Sequence, residues 1–379
     1  MPLSDLKRHP RLTISPTFLY YLLATTSLKA SSVLRILSKY LICAIVLANA
    51  RGLPATWHWR VFWPIIKYNL LFLAFRVPNF FATVPLNPGE RARRIAGYID
   101  RTSPVGVHPF DFKIVYRSRV SVDESDFNMH MSNSSYPKIL DFTRTKMATH
   151  LFPHFLRAGG VVPIASTHFH FVREIPMLAK YEVRAGIGAW DEKWFYVVAR
   201  FVTIKKGSTS KPDESTTAPV TPLTNSERES VAQLVNPSQE DEEGVTLHTV
   251  AVARCCYKLG RITVPPSVLM ATNGVCVYPH EVTNAMGELI SGTVEDKHSQ
   301  YSVDAPPFTW TNHARELALN PRKLREFYKG AWRKDPTRWW DSAMGAGGSM
   351  DGKLKRRLEI CRNLFEGMDG VRQFGDHSN

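Results

Sequence analysis

The run Asp126-Phe-Asn-Met-His130-Met-Ser-Asn133-Ser-Ser-Tyr136-Pro-Lys-Ile-Leu-Asp141 decides the fold. An acid is followed by a His four residues on, an Asn seven on, a Tyr ten on and a second acid fifteen on. Its first half is short, polar and turn-forming. From Ser134 to Leu156 the chain reads as a helix, with apolar residues at Tyr136, Ile139, Leu140, Phe142, Met147 and Leu151. A carboxylate in a loop just ahead of a buried helix can act on a carbonyl lying over that helix's N-terminus. Free backbone N–H groups there stabilise a developing oxyanion.

Outward from this run the pattern becomes that of strands. Lys113 to Val122 is β-branched and alternating. After the helix, which is expected to end near Gly159-Gly160, Ile164 to Arg173 alternates cleanly. His168 and His170 share one of its faces; Thr167, Phe169 and Phe171 share the other. Tyr181 to Trp190 and Trp194 to Ile204 pair across an Asp191-Glu192-Lys193 turn, and one more strand runs from Leu247 to Lys258. A strand, a helix and then an antiparallel run wrap a sheet around one helix, an α+β arrangement.

The run from Asp126 to Asp141 resembles the signature of the hotdog-fold acyl-CoA thioesterase family, with Asp126, His130, Asn133, Tyr136 and Asp141 on matching positions. Ala189 to Tyr196 looks like that family's mid-sheet hairpin, and the resemblance covers about Phe110 to Asn273. It is closest to eukaryotic thioesterase-like proteins with a hydrophobic N-terminal extension. Two positions depart from the pattern. Met129 replaces a usual small residue, and Ser132 replaces the first Asn.

The resemblance implies an antiparallel sheet wrapped around a long central helix. It implies Asp126 as nucleophile or general base toward an acyl-CoA or carrier-bound thioester, with His130 and Asn133 orienting the acid or donating to the carbonyl. Ser134, Ser135 and Tyr136 would border the substrate. No metal or organic cofactor is implied, and a homodimer is, because in this family the acyl tunnel lies between two hotdog units. A carboxylate suits the task, being ionised at neutral pH. The competing reading of Asp126 is an Asx-turn that needs only local hydrogen bonds. A non-catalytic acyl-binding or membrane-associated protein that keeps the fold is the alternative, favoured by the two departures. A dehydratase on the same fold is a third reading.

Other chemistries find little support. Ser132, Ser134 and Ser135 lie outside any Gly-x-Ser-x-Gly elbow. His168 and His170 lack a third ligand, so they read as sheet histidines before a metal site. Five cysteines without a Cys-x-x-Cys pair exclude a disulfide scaffold and weaken zinc and redox readings. Cys255 and Cys256 would face opposite sides of a strand, one of them buried. Asp141 and Arg144 can pair one helical turn apart.

The net charge of +14 is concentrated at one end. Residues 1–101 hold fourteen Lys and Arg against Asp5, Glu90 and Asp100, a surplus of +11. These cations are interleaved with three apolar runs, Phe18 to Ala24, Tyr40 to Ala50 and Val61 to Phe75. That pattern favours an anionic membrane surface over nucleic acid, for which no module is found. None of the runs gives the ~20 uninterrupted apolar residues of a spanning helix, and the apolar core at 18–24 is too short for a convincing signal peptide. Interfacial helices carrying Trp57, Trp59 and Trp63, and helices packed on the rest of the protein, are equally open. An intracellular protein, peripheral to or anchored in a membrane, is expected.

The domain reading is a basic, apolar helical region over 1–106 and a hotdog domain over 107–275. A partly helical, mostly solvated extension follows over 276–379. Residues 207–244 are rich in Ser, Thr, Pro and acids without an aromatic residue, and read as a disordered insertion. Ala343 to Gly348 reads as a flexible joint.

Overall fold

A computed structural model describes residues 15–81, 87–204, 244–278 and 301–376. The insertion expected over 207–244 lies outside them but for Gly244. Two long helices open the described chain, α1 (Pro16–Ala48) and α2 (Thr56–Phe81), followed by α3 (Pro88–Thr102). Next come β1 (Lys113–Arg119), a 3-10 turn at Val122–Glu124, and α4 (Ser135–Leu151). The expected helix to Leu156 divides at Phe152. Pro153 disfavours the α region for the residue before it and opens the short α5 (Pro153–Arg157).

The strands β2 (Ile164–Phe171), β3 (Lys180–Trp190), β4 (Phe195–Ile204) and β5 (Val245–Cys255) complete a five-stranded sheet of order β1-β3-β4-β5-β2. Every pairing is antiparallel. The last expected strand stops at Cys255, where Cys256 breaks the ladder. Residues 257–259 and 262–264 then form a small hairpin. Both cysteines are buried, so the expectation of a single buried thiol was too narrow.

The sheet is covered on both faces, and this explains its apolar strands. Val197, Ala199 and Phe201 of β4 join the main core with Ile139, Leu140 and Phe142 of α4. The intervening Tyr196 and Val198 face the other side, against Cys361 and Phe365. Those two belong to the C-terminal helix, α6 (Ser349–Asp376). Few residues of 320–332 and 353–366 are buried, in keeping with mostly solvated helices, but the extension also packs one face against the rest of the protein. Leu324, Tyr328, Trp339, Trp340 and Met350 are all buried in the main core. Ala343 to Gly348 is a hydrogen-bonded turn with Gly345 and Gly347 at positive φ, and Gly347 N–H donates to Asp351 Oδ2 at 2.7 Å.

Helix α2 packs on the sheet domain, while the described side chains of α1 are almost all exposed. Val61 of α2 is a core residue. The turn between α1 and α2 docks on the segment ahead of α4 through Glu124, whose side chain is fully buried. Arg51 Nη1 lies 2.8 Å from one carboxylate oxygen and Arg60 Nη1 lies 3.3 Å from the other. Arg51 also donates to the Arg119 carbonyl at 2.6 Å, and Arg60 to Tyr116 Oη at 2.8 Å. Two guanidiniums on one buried carboxylate tie the helical pair to β1 and to the loop that leads into α4.

A second buried polar group makes stability pH-dependent. His154 in α5 is fully buried, with Nε2 2.6 Å from Ser103 Oγ and its backbone N–H donating to Asn273 Oδ1 at 3.0 Å. Burial, and then the nearby Arg157 charge, push its pKa down to about 3. The folded state thus refuses a proton that the unfolded chain accepts near the ordinary pKa of about 6.5. Stability from this group is complete above that pH and falls as pH drops, by about 2 kcal/mol at pH 5. Urea unfolding at about pH 7.5 and pH 5 should show a smaller acid loss for His154→Gln than for wild type. Equal losses would remove His154 from the account.

Candidate active site

The expected acid sits in a tight turn ahead of α4. Asp126 N–H donates to the His130 carbonyl at 2.9 Å, and Met129 N–H to the Asp126 carbonyl at 3.2 Å. Asp126 Oδ1 accepts from Asn128 N–H at 2.9 Å and from His130 N–H at 3.3 Å. This is an Asx-turn. It uses one carboxylate oxygen; Oδ2 makes no hydrogen bond among the described residues. Met129 occupies the left-handed region, with φ of 64°, where a residue bearing Cβ is disfavoured. Two hydrogen bonds hold it there, its own N–H on the Asp126 carbonyl and Met177 N–H on the Met129 carbonyl at 2.8 Å.

His130 does not bring its ring to Asp126. Its backbone amide meets the carboxylate, while ring Nδ1 lies 3.0 Å from Glu174 Oε2. Glu174 escaped the sequence reading. It follows β2 in a loop with no motif, and only the bridge between His130 and Pro176 brings it near.

Helix α4 begins where the turn ends. Pro137 in its first turn has no N–H to satisfy and fixes a helical φ. Ser135 is buried; its N–H donates to the Ser132 carbonyl at 2.8 Å and its hydroxyl to the Glu124 carbonyl at 2.9 Å. Ser132 N–H donates to that same Glu124 carbonyl at 2.9 Å. Glu124 therefore holds the helix start by its main chain and the N-terminal helices by its side chain. Asn133 and Ser134 stand exposed at the helix N-terminus, and their amides bond to no backbone carbonyl among the described residues. The Ser134 hydroxyl lies 2.9 Å from that of Ser132.

Tyr136 is buried between the rings of Phe171 and Phe201, with centroids 5.1 and 4.9 Å away. Burial pushes its pKa up to about 12, and the Glu174 and Asp126 carboxylates add to that rise. The phenol remains protonated at neutral pH, beneath the turn and within the field of both acids.

Further along α4, Asp141 and Arg144 form an ion pair of 2.5 Å, and Arg144 also donates to Thr167 Oγ1 of β2 at 3.2 Å. Beside them opens a cavity of about 450 Å³, mainly apolar, lined by α4, the chain entering β2, the β4–β5 end of the sheet and α2. Trp57, Val61 and Phe62 of α2 form one wall. Sequence reasoning missed this wall because nothing in the apolar spacing of α2 says which element it covers.

Residues 120–218 match the model of the thioesterase-like superfamily. A protein of Emericella nidulans named "Probable thioesterase" is 30% identical over 187 residues, covering 44% of this chain and 54% of that protein. A second "Probable thioesterase", from Saccharomyces cerevisiae, is 30% identical over 174 residues, covering 45% of this chain and 67% of that protein. The chain thus spans between about half and two thirds of the length of these relatives. A solved gentisyl-coenzyme A thioesterase is 14% identical, covering 41% of this chain and 95% of its own, with a TM-score of 0.27.

Proposed function

The chain belongs to the thioesterase-like superfamily, and from that premise we propose that it hydrolyses an acyl-CoA or carrier-bound acyl thioester at the Asp126 turn. One observation carries the reading. Asp126 Oδ2 is uncommitted just ahead of α4, and the amides of Asn133 and Ser134, which lead into that helix, bond to no backbone carbonyl among the described residues. The carbonyl oxygen takes the two amides. Asp126 accepts a proton from water as its oxygen bonds to the carbonyl carbon. The carbonyl re-forms as the C–S bond breaks, and the departing thiolate takes up the proton that Asp126 accepted, which restores the carboxylate. His130, with the Glu174 carboxylate beside its ring, borders the reacting group, while Tyr136 packs at the start of the helix.

The Asx-turn and the left-handed Met129 favour the second reading, an acyl-binding protein that no longer hydrolyses. A panel of acyl-CoA esters differing in chain length separates the two. Free thiol and free acid in equal amounts support hydrolysis. Binding without release supports the second reading, and an enoyl product from 3-hydroxyacyl esters included in the panel would reveal a dehydratase.

The acyl chain and the homodimer belong to one proposal. Among the described residues strand β2 pairs only with β5, and Ile164 and Phe171 at its two ends are exposed. Two β2 strands pairing antiparallel about a two-fold axis set the Phe171 end of one against the Ile164 end of the other. Tyr136 packs on Phe171, and Ile164 lines the apolar cavity. Each Asp126 turn would then sit beside the partner's cavity, which takes the acyl chain.

The basic N-terminal helices are proposed to lie on an anionic membrane surface. Among the described residues no helix is long and apolar enough to cross a membrane. On α1, Leu37, Leu41 and Ile45 form an exposed stripe at four-residue spacing. Apolar burial and roughly 1 kcal/mol per basic residue near the surface would both contribute. Wild type should sediment with anionic vesicles and be only partly released by salt. Replacing the three stripe residues with Asn should abolish sedimentation; if the variant still sediments like wild type, α1 does not make the contact.

A further inference from the structure

A second, larger hollow lies on the opposite side of α2 from the apolar cavity. It measures about 930 Å³ and runs between α2 and α4, with β1 and the end of α3 closing it. Two neighbouring ridges of α2 build one wall. Trp59, Trp63, Lys67 and Leu71 follow one another at four-residue spacing, and Arg60, Pro64 and Tyr68 form the adjacent row. On α4, Phe142 and Lys146 face them; β1 contributes Tyr116 and Arg117, and α3 contributes Arg101.

The charge of this groove is one-sided. Five Lys or Arg side chains line it, and among the described residues no Asp or Glu does. Two of the five are neutralised from behind. Arg60 is held by Glu124, and Arg117 lies 2.7 Å from Glu182. Lys67 and Arg101 have no carboxylate partner among the described residues. Lys146 Nζ donates to the Val115 carbonyl at 2.7 Å. Burial, and then the Arg117 charge, hold the Lys146 pKa below its ordinary value. Such a lysine gains from an anion that would screen it.

Apolar surface continues outward from the cationic part. Trp59 and Trp63 are exposed, with ring centroids 5.1 Å apart, and Leu70, Leu71 and Leu73 are exposed beyond them on α2. A small anion would leave that surface bare, and so would a nucleotide once its base had stacked. An anionic head joined to apolar chains covers both parts, and cations drawn from four elements suit the several oxygens of a phosphate. A site of several hundred Å³ is of the size that takes such a head and the beginning of its chains.

We propose that the groove between α2 and α4 binds the phosphate headgroup of an anionic phospholipid, with Lys67, Arg101 and Lys146 around the phosphate and Trp59 and Trp63 along the chains. The site is distinct from the Asp126 turn, and its occupancy can be read without turnover.

The test titrates the full-length protein with dihexanoyl phosphatidylglycerol below its micelle-forming concentration and follows tryptophan fluorescence. Saturable binding is expected, with the signal lost in Trp59→Phe/Trp63→Phe. Reversing two exposed charges, Lys67→Glu/Arg101→Glu, should weaken binding roughly tenfold or more. Lys334→Glu, in the C-terminal extension outside the groove, should leave it unchanged. The milder Lys67→Gln/Arg101→Gln pair serves if the reversal disturbs folding, and should weaken binding in the same direction. Equal affinity for dihexanoyl phosphatidylcholine, or indifference to the charge changes, would reduce the groove to apolar adsorption and overturn the proposal. Displacement of the lipid by adenosine 3′,5′-bisphosphate at a lower concentration would make it a nucleotide site and overturn it as well.

Discussion

Asp126→Asn should lower thioester turnover by ~10²-fold or more while leaving the protein folded, given what a positioned acid–base group contributes. The substitution suits this geometry well. Asparagine keeps an Oδ1 that can accept from Asn128 N–H and His130 N–H, so the turn that places the side chain survives. What is lost is the carboxylate charge on Oδ2, the atom proposed to receive the proton. A structural Asx-turn would barely notice the change; a general base would be disabled. Unfolding by urea should give the same midpoint for variant and wild type. Near wild-type turnover in the folded variant would assign Asp126 to the turn alone.

The double substitution Arg51→Met/Arg60→Met should cost about 3–5 kcal/mol of stability, the range for removing the partner of a buried charge. Glu124 has no exposed side-chain surface, and its oxygens lie 2.8 and 3.3 Å from the two guanidiniums. Removing both cations leaves an uncompensated carboxylate inside the protein, and methionine fills much of the volume without supplying a donor. Adding Glu124→Gln should recover part of the loss. The Glu124 carbonyl accepts from Ser132 N–H and Ser135 Oγ, so amide exchange at Ser132 should also quicken in the double variant. A loss below about 1 kcal/mol, set against that range, would mean that the α1–α2 turn rests on the sheet domain without being tied to it.

The local patterns in the sequence carried most of the sheet and the central helix. Alternation in Ile164 to Phe171 and the Asp191 turn between β3 and β4 correspond to the observed ladder. Helix α4 was legible from its apolar spacing, and it stopped early because Pro153 acts on the residue before it. Burial of the C-terminal helices was not legible. Cys361 and Phe365 are spaced like many solvated helical residues, and only the second apolar face of β4 shows what they cover. The same limit applied at the site. The run from Asp126 to Tyr136 is contiguous and could be read, whereas Glu174 and the buried grip of Glu124 depend on contacts between distant segments.

The most direct measurement mixes purified full-length protein with acyl-CoA esters and quantifies free acid and free thiol by mass spectrometry. The account predicts equal amounts of both, formed catalytically by wild type and almost abolished in folded Asp126→Asn. Intact thioester after prolonged incubation with stoichiometric protein, or equal release by the two proteins, would contradict it.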